Sequence, residues 1–333
     1  MQEWWHSNNY LRRSPQKTLT RDLRRLSLRV VAVHDEIKPE RGRNPFLAHG
    51  ILFVPEDWIA ALVDAMDRIR KEYCYFDEVH WRTITGAGSN SQFCVARDWI
   101  KYYLTTAIRG CAFKAFIVED GLNRRFPYPG DSDYAEHLLQ STKTSLKAGI
   151  AWSFYRERKV RLQLIFDDTD NELDRSVAWQ VHDVLQAECN TKRLEGMKRY
   201  PWLRVSPVEF LSSNPRAATS ESLPYTEFIQ LCDLLLGASF QALQLSQPPK
   251  NQPGRRQLAK SIMEVLAETL QVPWFQQIQV HRKFSVSLYP DKYNFAYPAA
   301  LRMAPSSCRP PDLYLPGLEP PHPATKGDSP DTA

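Results

Sequence analysis

The order of apolar runs along the chain predicts an α/β fold: a mixed sheet of about five strands with helices on both faces. Two observations carry this. Short β-branched segments alternate with longer segments whose apolar residues recur at helical spacing, and the first two strands lie close enough for an antiparallel hairpin. At 333 residues the chain is also long enough to bury a real core.

LRVVAVH at 28–34 is short, β-branched and followed by Asp35 and Glu36, so it reads as a buried strand. A Pro/Gly/Asn turn at 39–45 leads to a second strand at 46–54. Pro55, Glu56 and Asp57 open a helix, with Ile59, Leu62, Val63, Met66 and Ile69 on its inner stripe. Residues 74–91 are irregular. A helix over about 92–109 turns Trp99, Ile100, Tyr103 and Leu104 inward, and a third strand covers 112–118. Further helices are expected near 132–157, 172–190 and 225–245, a fourth strand at 160–166, and a weaker fifth at 202–211. A helix near 257–271 and the strand-like KFSVSLY follow.

This pattern divides the chain into a basic N-terminal arm (1–27), a main domain (28–245) and a linker (246–256). Residues 257–303 then supply a helix and strand that pack on the core, before a disordered tail at 304–333 with eight prolines.

Composition is that of an ordinary globular protein, with 43% apolar and 24% charged residues. A net charge of +5 does not by itself argue for a nucleic-acid partner. Local charge is more suggestive. Positions 12, 13, 17, 21, 24, 25 and 29 are all Lys or Arg, against the single acid Asp22. Such a run is either a solvated face or a phosphate-contacting arm. The six cysteines form no pair at zinc spacing and lie mostly in apolar or helical runs, as reduced buried thiols do. With no apolar signal segment and no run of roughly 20 apolar residues, a cytoplasmic, non-membrane protein is expected.

Chemistry concentrates on carboxylates. Asp233 sits in PYTEFIQLCDLLLGASF, a helix apolar almost all round, where a charge loses its hydration. A metal, an arginine or protonation can compensate, and a metal ligand is the preferred reading. Asp35 and Asp167 each follow an apolar strand. There an acid either caps a turn or points into the crevice where open α/β sheets bind ligands. Asp168 and Asp170 crowd the second position, a repulsion that a divalent cation relieves. Glu78, in FDEVHWRTI, is either an exposed loop acid or a further ligand. His80 beside it is a candidate supporting group or phosphate contact. Together the acids suggest a hard-cation site for Mg²⁺ or Mn²⁺.

The same residues resemble a bacterial and phage family, the domain of unknown function 3800 family. VVAVHDEI is similar to its opening strand ending in Asp-Glu-Ser, and Glu78-Val-His80 to its Glu-x-His/Lys motif. LIFDD is similar to its strand ending in Asp-Glu, and FIQLCDLLLGA, with Gln230 and Asp233, to its closing Leu-Gln-x-Ala-Asp-Leu helix. The likeness spans about 28–245. Ile37, Cys232 and Asp168 depart from the pattern, and none removes a proposed ligand. Glu78 also precedes the third strand, whereas the usual RNase H plan puts its Glu on a helix after three strands.

The resemblance implies an RNase H-like fold and a nuclease-type site. Asp35 and Asp167 would bind two Mg²⁺ or Mn²⁺ ions most directly, with Asp35 bridging, and Glu78 and Asp233 would complete the coordination. Glu36, His80, Asp168 and Gln230 are expected around these ligands. Arg12, Arg13, Arg24, Arg25, Arg41 and Arg43 are candidates to hold phosphates, and Trp4, Trp5 and Trp81 are either base-stacking residues or ordinary buried or loop residues. Nucleic acid is the expected partner, with a protein partner in a defence or mobile-element system a family-level expectation. The alternatives are a catalytically inactive RNase H-like module that binds nucleic acid or a protein, and a phosphohydrolase acting on a small nucleotide. The last lacks support, because GAGSN at 86–90 is too short for a phosphate loop and has no Lys.

Overall fold

The computed structural model describes residues 27–40, 44–119, 130–168, 170–198, 200–242, 252–270 and 283–289. It is a mixed α/β structure built on a seven-stranded sheet. The strands are β1 (Leu28–Ile37), β2 (Phe46–Pro55), β3 (Ala112–Glu119), β4 (Lys159–Asp167), β5 (Trp202–Val205), β6 (Glu209–Leu211) and β7 (Phe284–Tyr289). The helices are α1 (Glu56–Glu72), α2 (Ser91–Thr105), α3 (Tyr134–Ser153), α4 (Glu172–Leu194), α5 (Leu223–Ala242) and α6 (Pro253–Leu270).

Strand order is β5-β4-β1-β2-β3-β7, with β6 also on β4. β1 and β2 form the expected antiparallel hairpin, and β3 continues antiparallel beside β2. β4 lies parallel to β1 on its other side, and β7 lies parallel to β3 at the far edge. The expected fifth strand is two short ones, paired with different stretches of β4. Pro207 falls between them and has no N–H to offer a ladder. Residues 74–91 contain no strand, so Glu78 does precede the third strand.

Both faces of the sheet are covered, which is why β2 is buried along its whole length. Period-two alternation sorts β1 between two cores. Val31 and Val33 face α1, α2, α5 and α6, while Val30 and Ala32 face α3 and α4. The inner stripe of α1 is as expected, with Leu62 and Met66 buried and Ile59, Val63 and Ile69 packed beside them. Asn90 caps α2 by accepting from Phe93 N–H, and Asn171 caps α4 by accepting from Leu173 N–H.

β1 runs on past His34 to Ile37, so Asp35 lies inside the strand, opposite Gly50 of β2. That glycine sets the height of α5 above the sheet. A Cβ on Gly50 would meet Leu236 Cβ at 3.0 Å and Cys232 Sγ at 3.4 Å, both on α5. The helix carrying Asp233 is thereby held close to the strand carrying Asp35.

Gly50→Ala is expected to overpack this contact and lower unfolding stability by roughly 1–3 kcal/mol. Urea denaturation checks it: the midpoint falls with the slope unchanged. An unshifted midpoint would show that α5 does not rest on Gly50.

Candidate metal centre

Asp35, Glu78, Asp167 and Asp233 line one small cavity of about 20 Å³, together with His80 and Ser213. They come from β1, the loop after α1, the last position of β4, and α5. The cavity is about the size that holds a water or a small ion. Asp35, Asp167, Asp233 and His80 also line a larger cleft of about 550 Å³ at the C-terminal ends of β1 and β4. Open α/β sheets place their ligands at such strand ends.

Asp233, Asp167 and Glu78 are each held by a specific donor. Asp233 Oδ2 accepts from Trp81 N–H at 2.6 Å and bonds His80 Nδ1 at 2.6 Å. Asp167 Oδ1 accepts from Ser213 N–H at 3.0 Å, and the Ser213 hydroxyl donates to Glu78 Oε1 at 2.8 Å. Gln230 fixes the two loops that bring these groups in. Its Oε1 accepts from Val79 N–H at 2.9 Å and from Arg70 Nη2 at 2.8 Å, and its amide donates to Ser213 O at 2.6 Å. Trp81 locks the same loop to α5: its indole lies against Gly237, where a Cβ would come within 2.3 Å of the ring.

The electrostatics are those of crowded acids. Burial raises the Asp35 carboxyl well above its ordinary range, and the charges of Asp233 and Asp167 raise it further. Burial also pushes Asp167 up, to about 6, with the Ser213 N–H and hydroxyl pulling it partly back and Glu78 and Asp233 adding to the rise. Burial works against a charged His80, but its bond to Asp233 and that carboxylate's charge outweigh this and leave it raised. Asp233 makes no arginine hydrogen bond among the described residues, so the arginine alternative for its buried charge is not the one the structure adopts.

Other expected residues are placed differently. Glu36 points to the opposite face of β1 and pairs with Lys38 at 3.2 Å. Asp168 is exposed and pairs with Arg175 at 2.5 Å. Trp81 is buried under α5, so it is not free to stack on a base. Arg12, Arg13, Arg24, Arg25, Arg41 and Arg43, with Trp4 and Trp5, lie outside the described residues. The cations on the cleft wall are Lys38, Arg82 and Arg255. Arg255 is anchored by donating to the carbonyls of Arg82 and Ile84. Neither Ser213 nor Arg255 carried a signal in sequence, because both act through loop geometry that only the fold supplies. No described helix is long and apolar enough to cross a membrane.

Among the described residues, the His/Cys/Asp/Glu group whose ligand atoms all close within 4.8 Å is His34, Glu36 and His49. No three of the four carboxylates close that far.

Because Asp35 and Asp167 have raised pKa values in the fold, their contribution to stability is full below the ordinary carboxylate range. It is lost as pH rises through their folded values, about 6 for Asp167. In EDTA, Asp35→Asn is therefore expected to melt roughly 2–8 °C above wild type at pH ~8, with the gap closing toward pH ~5. Mn²⁺ should raise the melting temperature of wild type and much less that of the variant. Superimposable melting curves for the two proteins across this range in EDTA would refute the mutual repulsion.

Neither a protein-family model nor a curated protein matches this chain.

Proposed function

We propose that this chain is a metal-dependent nuclease that hydrolyses phosphodiester bonds of DNA or RNA, using Mg²⁺ or Mn²⁺ held by Asp35, Glu78, Asp167 and Asp233. One observation carries the reading. Four acids from four separate segments line one cavity, and burial, with the neighbouring carboxylate charges adding to it, raises the pKa of Asp35 and Asp167. Such repulsion is relieved by hard divalent cations, which take oxygen ligands. When bound, the ions would supply an activated water and stabilise the leaving oxygen.

The chain's own groups have separable tasks. Trp81 N–H and His80 occupy Oδ2 of Asp233, so Oδ1 is the oxygen that would coordinate an ion. Ser213 spaces Asp167 from Glu78. Lys38, Arg82 and Arg255 offer positive charge to a phosphate backbone entering the cleft. Half-exposed Trp179, 6.1 Å from the Phe210 ring, makes an aromatic shelf beside it that suits base stacking. The resemblance to the domain of unknown function 3800 family, with an RNase H-like fold, supports the same reading: β1 stands centrally, antiparallel to β2 and parallel to β4, and Asp35 and Asp167 are on these neighbouring strands.

The test is cleavage of labelled single- and double-stranded DNA and RNA with Mn²⁺ or Mg²⁺. Asp35→Asn and Asp233→Asn should each lose activity by about 100-fold or more, the loss of several kcal/mol of metal-borne stabilisation. His80→Gln should lose about tenfold, as expected for a group that orients a ligand. Cleavage unchanged in both Asp variants sinks the nuclease reading. Binding of nucleic acid without cleavage points to the inactive module instead.

A further inference from the structure

The hairpin register places a second polar cluster behind the first. His34 and Glu36 are two apart on β1, and His49 is the direct cross-strand partner of Glu36. Residues two apart on a strand share a face, and so does a cross-strand partner. All three side chains therefore meet on the α3 and α4 side of the sheet, opposite Asp35. One ligand atom from each lies within 4.8 Å of the others.

We propose that His34, Glu36 and His49 form a site for a divalent transition ion of the zinc type, distinct from the carboxylate centre. This does not rest on the nuclease reading.

Three features support it. First, His34 Nε2 and His49 Nδ1 are 3.1 Å apart. Two imidazole nitrogens each about 2.0–2.1 Å from one ion stand about 2.9 Å apart at a right angle and about 3.4 Å apart at a tetrahedral one. The observed separation falls within that bite.

Second, His49 is oriented as a ligand should be. Its Nε2 bonds Ser141 Oγ at 2.9 Å, and Ser141 Oγ also sits 2.8 Å from the carbonyl of His137. With the single hydroxyl proton on that helix carbonyl, Ser141 accepts from His49 Nε2–H and leaves the lone pair on Nδ1, which accepts from His34 Nε2–H in the metal-free chain; an ion would take the place of that proton, which leaves to solvent. A hydrogen bond to the far ring nitrogen is how proteins set the tautomer of a metal-bound histidine. Phe166, with its ring centroid 4.7 Å away, holds the His34 ring in place.

Third, polar atoms nearby are left wanting. Tyr134 Oη and Asp174 Oδ1 are buried with no hydrogen-bond partner among the described residues. Asp174 reaches Glu36 through Lys38, which bonds both carboxylates. Buried polar atoms without partners call for a water or an ion. Lys38 takes one Glu36 oxygen and leaves lone pairs for coordination. His34 and Glu36 line the large cleft, which gives an ion a way in. Two imidazoles select for transition ions, whereas the oxygen-only centre across β1 suits Mg²⁺.

The experiment is a Co²⁺ titration of the EDTA-treated full-length chain in excess Mg²⁺, read by visible d–d absorption and by metal content. Wild type should take up one equivalent with the spectrum of a nitrogen-ligated ion. His49→Ala and Glu36→Gln should each weaken uptake by at least about tenfold. Asp35→Asn and Asp233→Asn should leave it in place, which separates failure here from failure of the nuclease reading. Melting curves in EDTA verify folding. Where His49→Ala does not fold, the near-isosteric Glu36→Gln decides. Co²⁺ uptake identical in wild type and Glu36→Gln, or no nitrogen-ligated spectrum in wild type, overturns the site and leaves the cluster a hydrogen-bonded histidine pair.

Discussion

Negative charge with nowhere to spread is the constraint that organises this molecule. Asp233 projects from a helix that the core surrounds, and Asp35 and Asp167 meet it from two neighbouring parallel strands. The group sits where a small cavity meets the large cleft. An apolar core of this kind would ordinarily exclude three acids, or neutralise them by protonation. Here the surroundings do part of that work, since backbone N–H groups and one serine hydroxyl each take a carboxylate oxygen. The remaining repulsion stays in the metal-free fold, and under the proposed function a divalent cation would relieve it.

The charge cluster depends on scaffolding beneath it. Arg70 of α1 is buried and donates to Glu227 Oε1 and to Gln230 Oε1, both on α5, and to the carbonyls of Tyr75 and Asp77. Its guanidinium also lies 4.6 Å from the centroid of the Trp99 ring. One cation thus fixes α1, α2, α5 and the chain entering Glu78. Satisfied polar networks of this kind specify a single arrangement, because each partner left unpaired in the interior is costly. Gln230 extends the network to the carbonyl of Ser213, which ties the irregular loop to α5.

How much of this could be read from the sequence depends on which kind of residue carried it. Alternating apolar segments gave the α/β class, and the all-round apolarity of α5 singled out Asp233, because a charge there has no solvent to face. Asp35 and Asp167 are marked by following apolar strands and, more, by the family resemblance, although β1 extends past Asp35. Glu78 was harder, since it lies in irregular chain held only by tertiary hydrogen bonds. For Trp81 the sequence leaves stacking and burial both open, because nothing local to it reveals that Gly237, far along the chain, opens a slot for its ring. The His34–Glu36–His49 cluster was not read at all. It depends on the hairpin pairing Glu36 with His49, and a register shift of one residue would send His49 to the other face.

The position of β7 has a consequence for how the chain is made. Every carboxylate of the centre belongs to chain ending at α5, while β7, the strand that covers the outer edge of β3, comes more than forty residues after it. A ribosome would therefore release the whole charge cluster before the sheet's edge is closed. Until then β3 presents a row of unpaired backbone groups, the kind of edge that recruits a strand from another chain. The C-terminal segment thus serves as an internal guard for the growing sheet, and α6, packed against α2 and α5, places that guard on the right side of the molecule.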